Sequence, residues 1–323
     1  MKKLAALSLV FALLLCGTSV FAKEWKIAFV PKLTGIPYFK AMEKGGKEAA
    51  KKLGVTFIYR GPTMADSAGQ IEIIDDLIAQ EVDAIAVAPN DSVAVAPILK
   101  KAKEKNIVVL TSDTDGAADV RDVFVNQAKE EAIANTIIDE MAREMNEEGQ
   151  LAVVSCGPTS LNLNTWILHQ NARLSKYPRM ELVTIRYAGE DVRNGVRVSL
   201  DVMSTFPNLK GLIGECSTSA PAVAEAIKQA HKIGTIKGIG ISLPSVMKPY
   251  IQDGVIESFV LWDPVKLGYL TVWAAKKILE GRKFAQTNDV NNVGKVEYIA
   301  DKKMLVLGPP TVFTKENVDN YDF

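Results

Sequence analysis

The sequence predicts an α/β protein that consists of two doubly wound parallel-sheet lobes joined by a multi-strand hinge. Short apolar runs alternate with amphipathic stretches along most of the 323 residues, as in successive βαβ units. The apolar runs are continuous, which is typical of strands that are buried on both faces. The alternation restarts near Gln150, and the length is sufficient for about two domains.

The first half of the chain contains five predicted strands and four predicted helices. The strands are predicted at 25–30, 55–59, 84–88, 107–110 and 123–125, and the helices at 38–53, 68–80, 93–105 and 128–145. In the second half, strands are predicted at 150–154, 181–185, 211–213, 238–241 and 258–261, with helices at 165–174, 192–204, 220–230 and 245–251.

The end of the chain departs from this alternation. One more helix is predicted at 265–279, followed by a polar loop at 284–294 and strand-like pieces at 296–299 and 304–306. A helix that follows a completed second sheet should return to the first lobe, so several segments should cross between lobes. We therefore assign 23–126 plus 263–290 to the N-terminal lobe and 127–262 plus 291–323 to the C-terminal lobe.

The first 22 residues have the composition of a cleavable secretory signal peptide. Lys2 and Lys3 precede an apolar run at 4–15, and a small-x-small cleavage motif lies at 20–22. The apolar run is too short for a membrane-spanning helix, which is the alternative interpretation. Lipid attachment at Cys16 is a second alternative, although the residue before it is leucine rather than a small residue. We expect a soluble product in the periplasm.

Composition excludes several classes of function. The chain has 38 basic and 38 acidic residues without a basic tract, so no nucleic-acid partner is expected. Glycine-rich nucleotide motifs and a Gly-x-Ser-x-Gly elbow are absent from the sequence. Only two histidines are present, which disfavours a metal centre. We therefore expect no enzyme activity, no cofactor and no metal.

Two cysteines remain in the predicted mature chain, Cys156 and Cys216, and each follows a predicted strand. A core of this size does not require a disulfide for stability. The sequence leaves open whether the two residues pair, and buried free thiols are our expectation.

Candidate ligand-binding residues follow the predicted strands, because open parallel sheets bind ligands beyond the carboxyl ends of their strands. These positions carry carboxylates, amides, hydroxyls, one lysine and several aromatic rings. This mixture suits a sugar or polyol, whose hydroxyls need polar partners and whose apolar face needs a ring. The candidates are Lys32, Tyr38, Phe39, Asn90, Asp113, Gln127, Asn162, Trp166, Glu215, Ser217, Trp262 and Asp263.

Each candidate also has a structural alternative. Asp113 could be a helix cap or a turn carboxylate, and Lys32 could be a solvated loop lysine. Tyr38 and Phe39 open a predicted helix, where one of them should belong to the core. Trp166 and Trp262 could also be core residues.

The chain resembles periplasmic solute-binding proteins of sugar ABC transporters, of the ribose-binding type. It is most similar to the autoinducer-2 and rhamnose receptors. The resemblance lies in the segments at 26–33, 37–39, 61–63, 83–90, 110–113, 261–263 and 313–323.

The resemblance implies a type I periplasmic binding protein fold and a monomer that delivers a small hydroxylated ligand to ABC permease subunits. In the autoinducer-2 receptors, a lysine and an aspartate at the places of Lys32 and Asp113 hold the ligand. The pattern departs at Asn162-Leu163 and at 215–217, so the ligand could be a related sugar or polyol, or autoinducer-2 itself. A transcription regulator of the same fold is a further alternative, but a signal peptide occupies the place of its DNA-binding headpiece.

Overall fold

A computed structural model describes residues 24–323, and the predicted signal peptide at 1–22 lies outside the described residues. Within residues 24–323, no helix is both long enough and apolar enough to cross a membrane. The chain forms an eight-stranded sheet, a four-stranded sheet and a two-stranded sheet, with helices packed on them.

The first part of the chain alternates strands and helices as predicted. The elements are β1 Lys26–Val30, α1 Pro37–Leu53, β2 Thr56–Tyr59, α2 Ser67–Ala79, β3 Ala84–Val87, α3 Ala96–Glu104, β4 Val108–Ser112 and β5 Val123–Asn126. Proline at the start of α1 and the Asp66 side chain, which accepts hydrogen bonds from the Ala68 and Gly69 amides, begin two of these helices.

The second part repeats the pattern. Its elements are α4 Glu130–Glu144, β6 Gly149–Ser155, α5 Leu161–Arg173, β7 Met180–Tyr187, α6 Val192–Thr205, β8 Leu209–Gly214, α7 Ser219–Gln229, β9 Lys237–Gly240, α8 Pro244–Gln252 and β10 Ser258–Leu261. The chain then continues with α9 Pro264–Leu279, β11 Thr287–Val290, β12 Gly294–Ile299, β13 Met304–Val306 and β14 Thr311–Thr314.

The first lobe is built on the eight-stranded sheet, whose strand order is β11-β12-β13-β5-β4-β3-β1-β2. The strands from β2 to β13 are parallel, while β12 and β11 form an antiparallel edge. Helices cover both faces, with α1 beside α9 and α2 beside α3. In β1, Ile27 and Phe29 belong to one apolar cluster and Ala28 and Val30 to another, as expected for a strand that is buried on both faces.

The second lobe contains the parallel sheet β7-β6-β8-β9 and the antiparallel pair β10-β14. A single bridge between Ile241 and Val260 connects the two. Helices α4 to α8 pack on this lobe. The predicted α/β class with two parallel-sheet lobes is therefore confirmed.

The predicted boundary between the two lobes after residue 290 is wrong. Residues 291–306 belong to the first lobe rather than the second, because Met304–Val306 pairs in parallel with Phe124–Asn126 and β12 pairs with β13. The predicted loop at 284–294 contains β11, which pairs with β12. Strand β14 was not predicted; it pairs with β10 and completes the second lobe.

Within residues 24–323 the chain crosses between the lobes three times, after β5, after β10 and after β13. The crossing segments are neighbours at both ends. Val306 pairs with Asn126 in the first lobe, and Thr311 pairs with Leu261 in the second. The predicted multi-strand hinge thus consists of adjacent segments.

Helices α1 and α9 lie in unusually close contact. A Cβ atom added at Gly45 would lie 1.8 Å from the Val265 carbonyl oxygen, and one added at Gly268 would lie 2.0 Å from the Met42 carbonyl oxygen. Two glycines that face the backbone of the opposite helix therefore set the distance between the helices. Since α9 follows the second crossing, this contact also fixes where that crossing enters the first lobe.

Candidate functional site

A cavity lies between the two lobes, at the carboxyl ends of strands from both sheets. This is the position at which open parallel sheets bind ligands. The lining combines charged groups, an amide, a hydroxyl, aromatic rings and aliphatic side chains. The lining residues are Lys32, Ile36, Tyr38, Phe39, Asp113, Asn162, Leu163, Trp166, Glu190, Cys216, Ser217, Ile241 and Trp262.

Asp113 is the buried acidic centre of the cavity. It follows β4 in the left-handed region, at φ 68°, a conformation that aspartate adopts more readily than most residues. Tyr38 donates its hydroxyl hydrogen bond to Asp113 Oδ1 over 2.7 Å, and Trp262 donates from Nε1 to the Tyr38 oxygen over 2.8 Å. Thr114 Oγ1 donates to the second carboxylate oxygen over 3.2 Å. This chain of donors fixes the carboxylate in the cavity wall.

Lys32 connects the two lobes across the cavity. Its side chain is buried and donates to Asn162 Oδ1 over 2.9 Å and to Ser160 Oγ over 3.4 Å. Both acceptors belong to the second lobe, so the cleft is closed around the cavity. On the first lobe, Asn90 Nδ2 donates to the Lys32 carbonyl oxygen over 2.7 Å and holds the loop that carries the lysine.

Burial disfavours the charged forms of both Asp113 and Lys32 in this site. Burial raises the pKa of Asp113, while the Lys32 cation and the hydrogen bonds from Tyr38 and Thr114 lower it. Burial also lowers the pKa of Lys32, against the attraction of Asp113 and Glu190. Each charge therefore needs the other or a polar ligand to offset its lost hydration.

Four aromatic rings from both lobes form one wall. The Tyr38 ring meets Phe39 edge to face at 5.2 Å and Trp262 at 6.2 Å, and Trp262 meets Trp166 at 5.7 Å. Flat apolar rings next to carboxylate and ammonium groups can receive the apolar face of a sugar ring while the polar groups bind its hydroxyls.

Eight of the twelve predicted residues line this cavity: Lys32, Tyr38, Phe39, Asp113, Asn162, Trp166, Ser217 and Trp262. The other four lie elsewhere. Asn90 supports the Lys32 loop, and Asp263 caps α9 by accepting from the Lys266 amide over 3.0 Å. Gln127 is buried beside a neighbouring cavity that also contacts Asp113, and its Oε1 has no partner among the described residues.

Glu190 was not among the ligand-binding residues predicted from the sequence. It lies beyond the end of β7, lines the cavity and accepts a hydrogen bond from Thr218 Oγ1 over 3.1 Å. Burial raises its pKa, and the Lys32 cation opposes that shift. The rule that ligand-binding residues follow strand ends identifies Glu190 only if β7 extends to residue 187. The predicted strand ended two residues earlier, at residue 185.

Glu215 lies behind the cavity wall rather than in it. It is fully buried, and both of its oxygens accept from Gln170 Nε2, over 2.9 and 3.0 Å. Burial raises the pKa of Glu215 to about 8, a net value in which the hydrogen bond from Gln170 offsets part of the increase. Burial therefore favours the neutral form of this side chain at pH 7, beside the Gln170 amide.

We expect Glu215→Gln to flatten the dependence of stability on pH. The unfolded chain ionises Glu215 above its ordinary pKa of 4.5, whereas the folded chain holds the proton up to about pH 8. Glu215 therefore contributes its full share to the free energy of unfolding below pH 4.5. This contribution is lost as the pH rises from 4.5 to about 8, at a slope on the order of 1 kcal/mol per pH unit.

The measurement is urea unfolding of both proteins at intervals from pH 5 to pH 8. The free energy of unfolding should fall more steeply for the natural protein than for Glu215→Gln. Glu144, whose pKa burial raises to about 7, is present in both proteins and cancels in the difference. Parallel profiles would show that Glu215 is ionised in the folded protein.

The expectation of free thiols is wrong in the structure, where Cys156 and Cys216 form a disulfide. Their Cα atoms are 6.3 Å apart, within the range of disulfides. They follow β6 and β8, which are neighbours in the sheet, and this adjacency could not be read from a separation of 60 residues.

Comparison with known proteins identifies sugar-binding and solute-binding proteins as relatives of this chain. A D-ribose/D-allose-binding protein of Pseudomonas aeruginosa is 24% identical over 305 residues, covering 87% of this chain and 94% of the relative. An ABC transporter solute-binding protein from Clostridium phytofermentas with bound L-rhamnose has a TM-score of 0.88 and 28% identity, covering 93% of this chain and 99% of that one.

A second solved structure is similar to the same extent. LsrB from Clostridium saccharobutylicum in complex with AI-2 has a TM-score of 0.87 and 25% identity, and covers 92% of this chain and 100% of that one. Residues 27–283 match the family described as periplasmic binding protein domain. Because the match spans both lobes and most of the sequence, the chain belongs to the periplasmic binding protein family.

Proposed function

We propose that this protein is the solute receptor of an ABC importer, which binds a small sugar or polyol between its lobes and delivers it to the membrane permease. It acts by binding and not as an enzyme. The observation that carries the proposal is the closed cavity in which Asp113 and Lys32 lie against an aromatic wall. Such a site offers charged hydrogen-bonding partners and apolar faces to one small hydroxylated molecule.

The position of the cavity supports a mechanism of closure. Lys32 belongs to the first lobe and reaches Asn162 of the second, so these groups can act on one ligand together only when the lobes are closed. A ligand that contacts both lobes favours the closed form by its difference in affinity for the two forms. The permease would then recognise the closed shape, and no bond is made or broken.

The ligands of the relatives support the class of ligand. The names of the relatives include D-ribose, D-allose and L-rhamnose, all of which are small and rich in hydroxyls. An autoinducer-2 receptor is the alternative, supported by the similarity to the AI-2 complex and by the presence of Lys32 and Asp113.

A thermal-shift panel followed by calorimetric titration tests the proposal. We expect one sugar or polyol to raise the melting temperature, because a ligand that binds only the folded state stabilises it; at 100 times Kd the gain is about 2.7 kcal/mol. The panel contains pentoses, 6-deoxyhexoses, hexoses, polyols and autoinducer-2. A shift with autoinducer-2 alone would favour the alternative, and a panel without any shift would contradict both.

We further propose that the chain is exported to the periplasm and works as a monomer without a nucleic-acid partner. The composition of residues 1–22 and the balanced charge support these points. Mass spectrometry of the exported protein should give Lys23 as the first residue, and light scattering should give the mass of one chain.

A further inference from the structure

The disulfide lies at the edge of the apolar core, where the core borders the ligand cavity. Cys156 directly follows β6 and Cys216 lies two residues beyond β8, so both occupy the carboxyl end of the second sheet. Cys216 itself lines the cavity. The bridge therefore joins two adjacent loops at the edge of the sheet that faces the first lobe.

Each of these loops carries groups of the site. The loop at 156–160 leads to Ser160, whose oxygen accepts from Lys32, and into the first turn of α5 with Asn162. The loop at 215–218 carries Ser217, which also lines the cavity. The position of the second-lobe groups that meet Lys32 thus depends on how these loops are held together.

A third group of the site is connected to the same bridge. Thr218 Oγ1 lies 3.3 Å from the sulfur of Cys156 and 3.1 Å from that of Cys216, and it donates to Glu190 over 3.1 Å. Thr218 is buried, so the hydroxyl is enclosed between the sulfurs and the carboxylate. A change at the sulfurs is therefore transmitted to the acidic group of the second lobe.

We propose that the Cys156–Cys216 disulfide positions the second-lobe half of the ligand site, and that its reduction weakens ligand binding while both lobes stay folded. This inference rests on the proposed function. Fold is retained because β6 and β8 pair along their length without the bridge, and the apolar residues of both strands are buried. The bridge adds order only beyond the strand ends.

The chemistry is a two-electron thiol–disulfide exchange. A dithiol reductant gives two electrons to the sulfur–sulfur bond, each cysteine sulfur takes up one proton, and the reductant becomes a disulfide. The reverse reaction needs a disulfide-bearing oxidant of the thiol oxidoreductase class, as operates in oxidising compartments.

A metal site is the competing interpretation of the same atoms. Ligand atoms of Cys156, Glu190 and Cys216 lie within 4.8 Å of one another, and two thiolates with a carboxylate could bind zinc. Sulfurs that share a disulfide cannot act as thiolates, so the two interpretations exclude each other. The thiol count and the zinc content of the protein separate them.

The first experiment is independent of any ligand. The full chain is exported, purified, denatured and treated with iodoacetamide with or without prior dithiothreitol, and its zinc content is measured. We expect alkylation of both cysteines only after dithiothreitol, and no zinc. Two alkylated thiols without reductant, or one bound zinc per chain, would overturn the inference.

The second experiment measures affinity for the sugar that the panel identifies. We expect dithiothreitol-treated protein and the C156S/C216S variant to bind it at least about fivefold more weakly than the oxidised protein, since less of the site is pre-organised. Circular dichroism should be unchanged, and dithiothreitol should not alter the affinity of C156S/C216S. Equal affinities of all forms would overturn the inference.

Hydrogen exchange separates a failure of this inference from a failure of the proposed function. If no sugar binds any form, the proposed function fails, but the loops can still be compared. Amides in 156–160 and 215–218 should exchange faster in the reduced protein, with the amides of β6 and β8 unchanged. Equal loop exchange would overturn the role of the bridge.

Discussion

The Asp113→Ala variant is expected to lose nearly all affinity for the sugar while keeping its fold. Asp113 is the buried carboxylate of the cavity, and its removal leaves Lys32 and the Tyr38 hydroxyl without that partner. Each hydrogen bond between a charged carboxylate and a ligand hydroxyl contributes about 1.5–3 kcal/mol, so each lost bond corresponds to about 10- to 150-fold in Kd. Calorimetric titration against the sugar found in the panel measures this loss.

Two companion variants make this result specific. Asp113→Asn keeps a hydrogen-bond acceptor for Tyr38 and tolerates the left-handed backbone, so it isolates the loss of charge and should bind with intermediate affinity. Asp75→Asn removes an exposed carboxylate that pairs with Lys101 far from the cleft, and it should bind normally. If both Asp113→Asn and Asp113→Ala bind with unchanged affinity, Asp113 stabilises a turn and does not bind the ligand.

The largest effect on stability is expected for Gly268→Ala. The added Cβ would lie 2.0 Å from the Met42 carbonyl oxygen, and a methyl group has no rotamer that relieves contact with a backbone atom. Helix α9 must move away from α1, which opens their shared core. Overpacking of this kind costs typically 1–3 kcal/mol, or a fall in melting temperature of roughly 2–5 °C at this size.

Thermal unfolding without ligand checks this prediction. Gly45→Ala, on the opposite helix, should destabilise the protein similarly, because its Cβ would meet the Val265 carbonyl oxygen. Gly308→Ala is the matched control: its Cβ would meet no atom within 4 Å, and its backbone is not left-handed. A Gly268→Ala melting temperature equal to that of Gly308→Ala would show that the helices separate at little cost.

The order of strands and helices could be predicted from the sequence because buried parallel strands give continuous apolar runs. The antiparallel edge could not be predicted in this way. In β11 the residues alternate between exposed and buried, with Asn288 and Val290 inside, and a polar edge strand has the composition of a loop. Strand β14 has four residues, and its assignment depends on pairing with β10, which is distant in sequence.

The site was predicted in part for a similar reason. The rule that ligands lie beyond strand ends found Lys32 and Asp113, because it depends only on where strands stop. It does not give the direction of a side chain, which is why Glu215 was placed in the cavity although it points to Gln170 behind the wall. The omission of Glu190 follows from a strand end placed two residues too early.

The three adjacent crossings limit how the two halves of the molecule can move. A single linker would allow twisting and sliding, whereas neighbouring segments that pair at Asn126 with Val306 and at Leu261 with Thr311 resist both. Adjacent crossings of this kind favour a hinge rotation of the lobes about one axis. A bound sugar then has to restrain a single degree of freedom, so a few hydrogen bonds suffice to select one shape for a downstream partner.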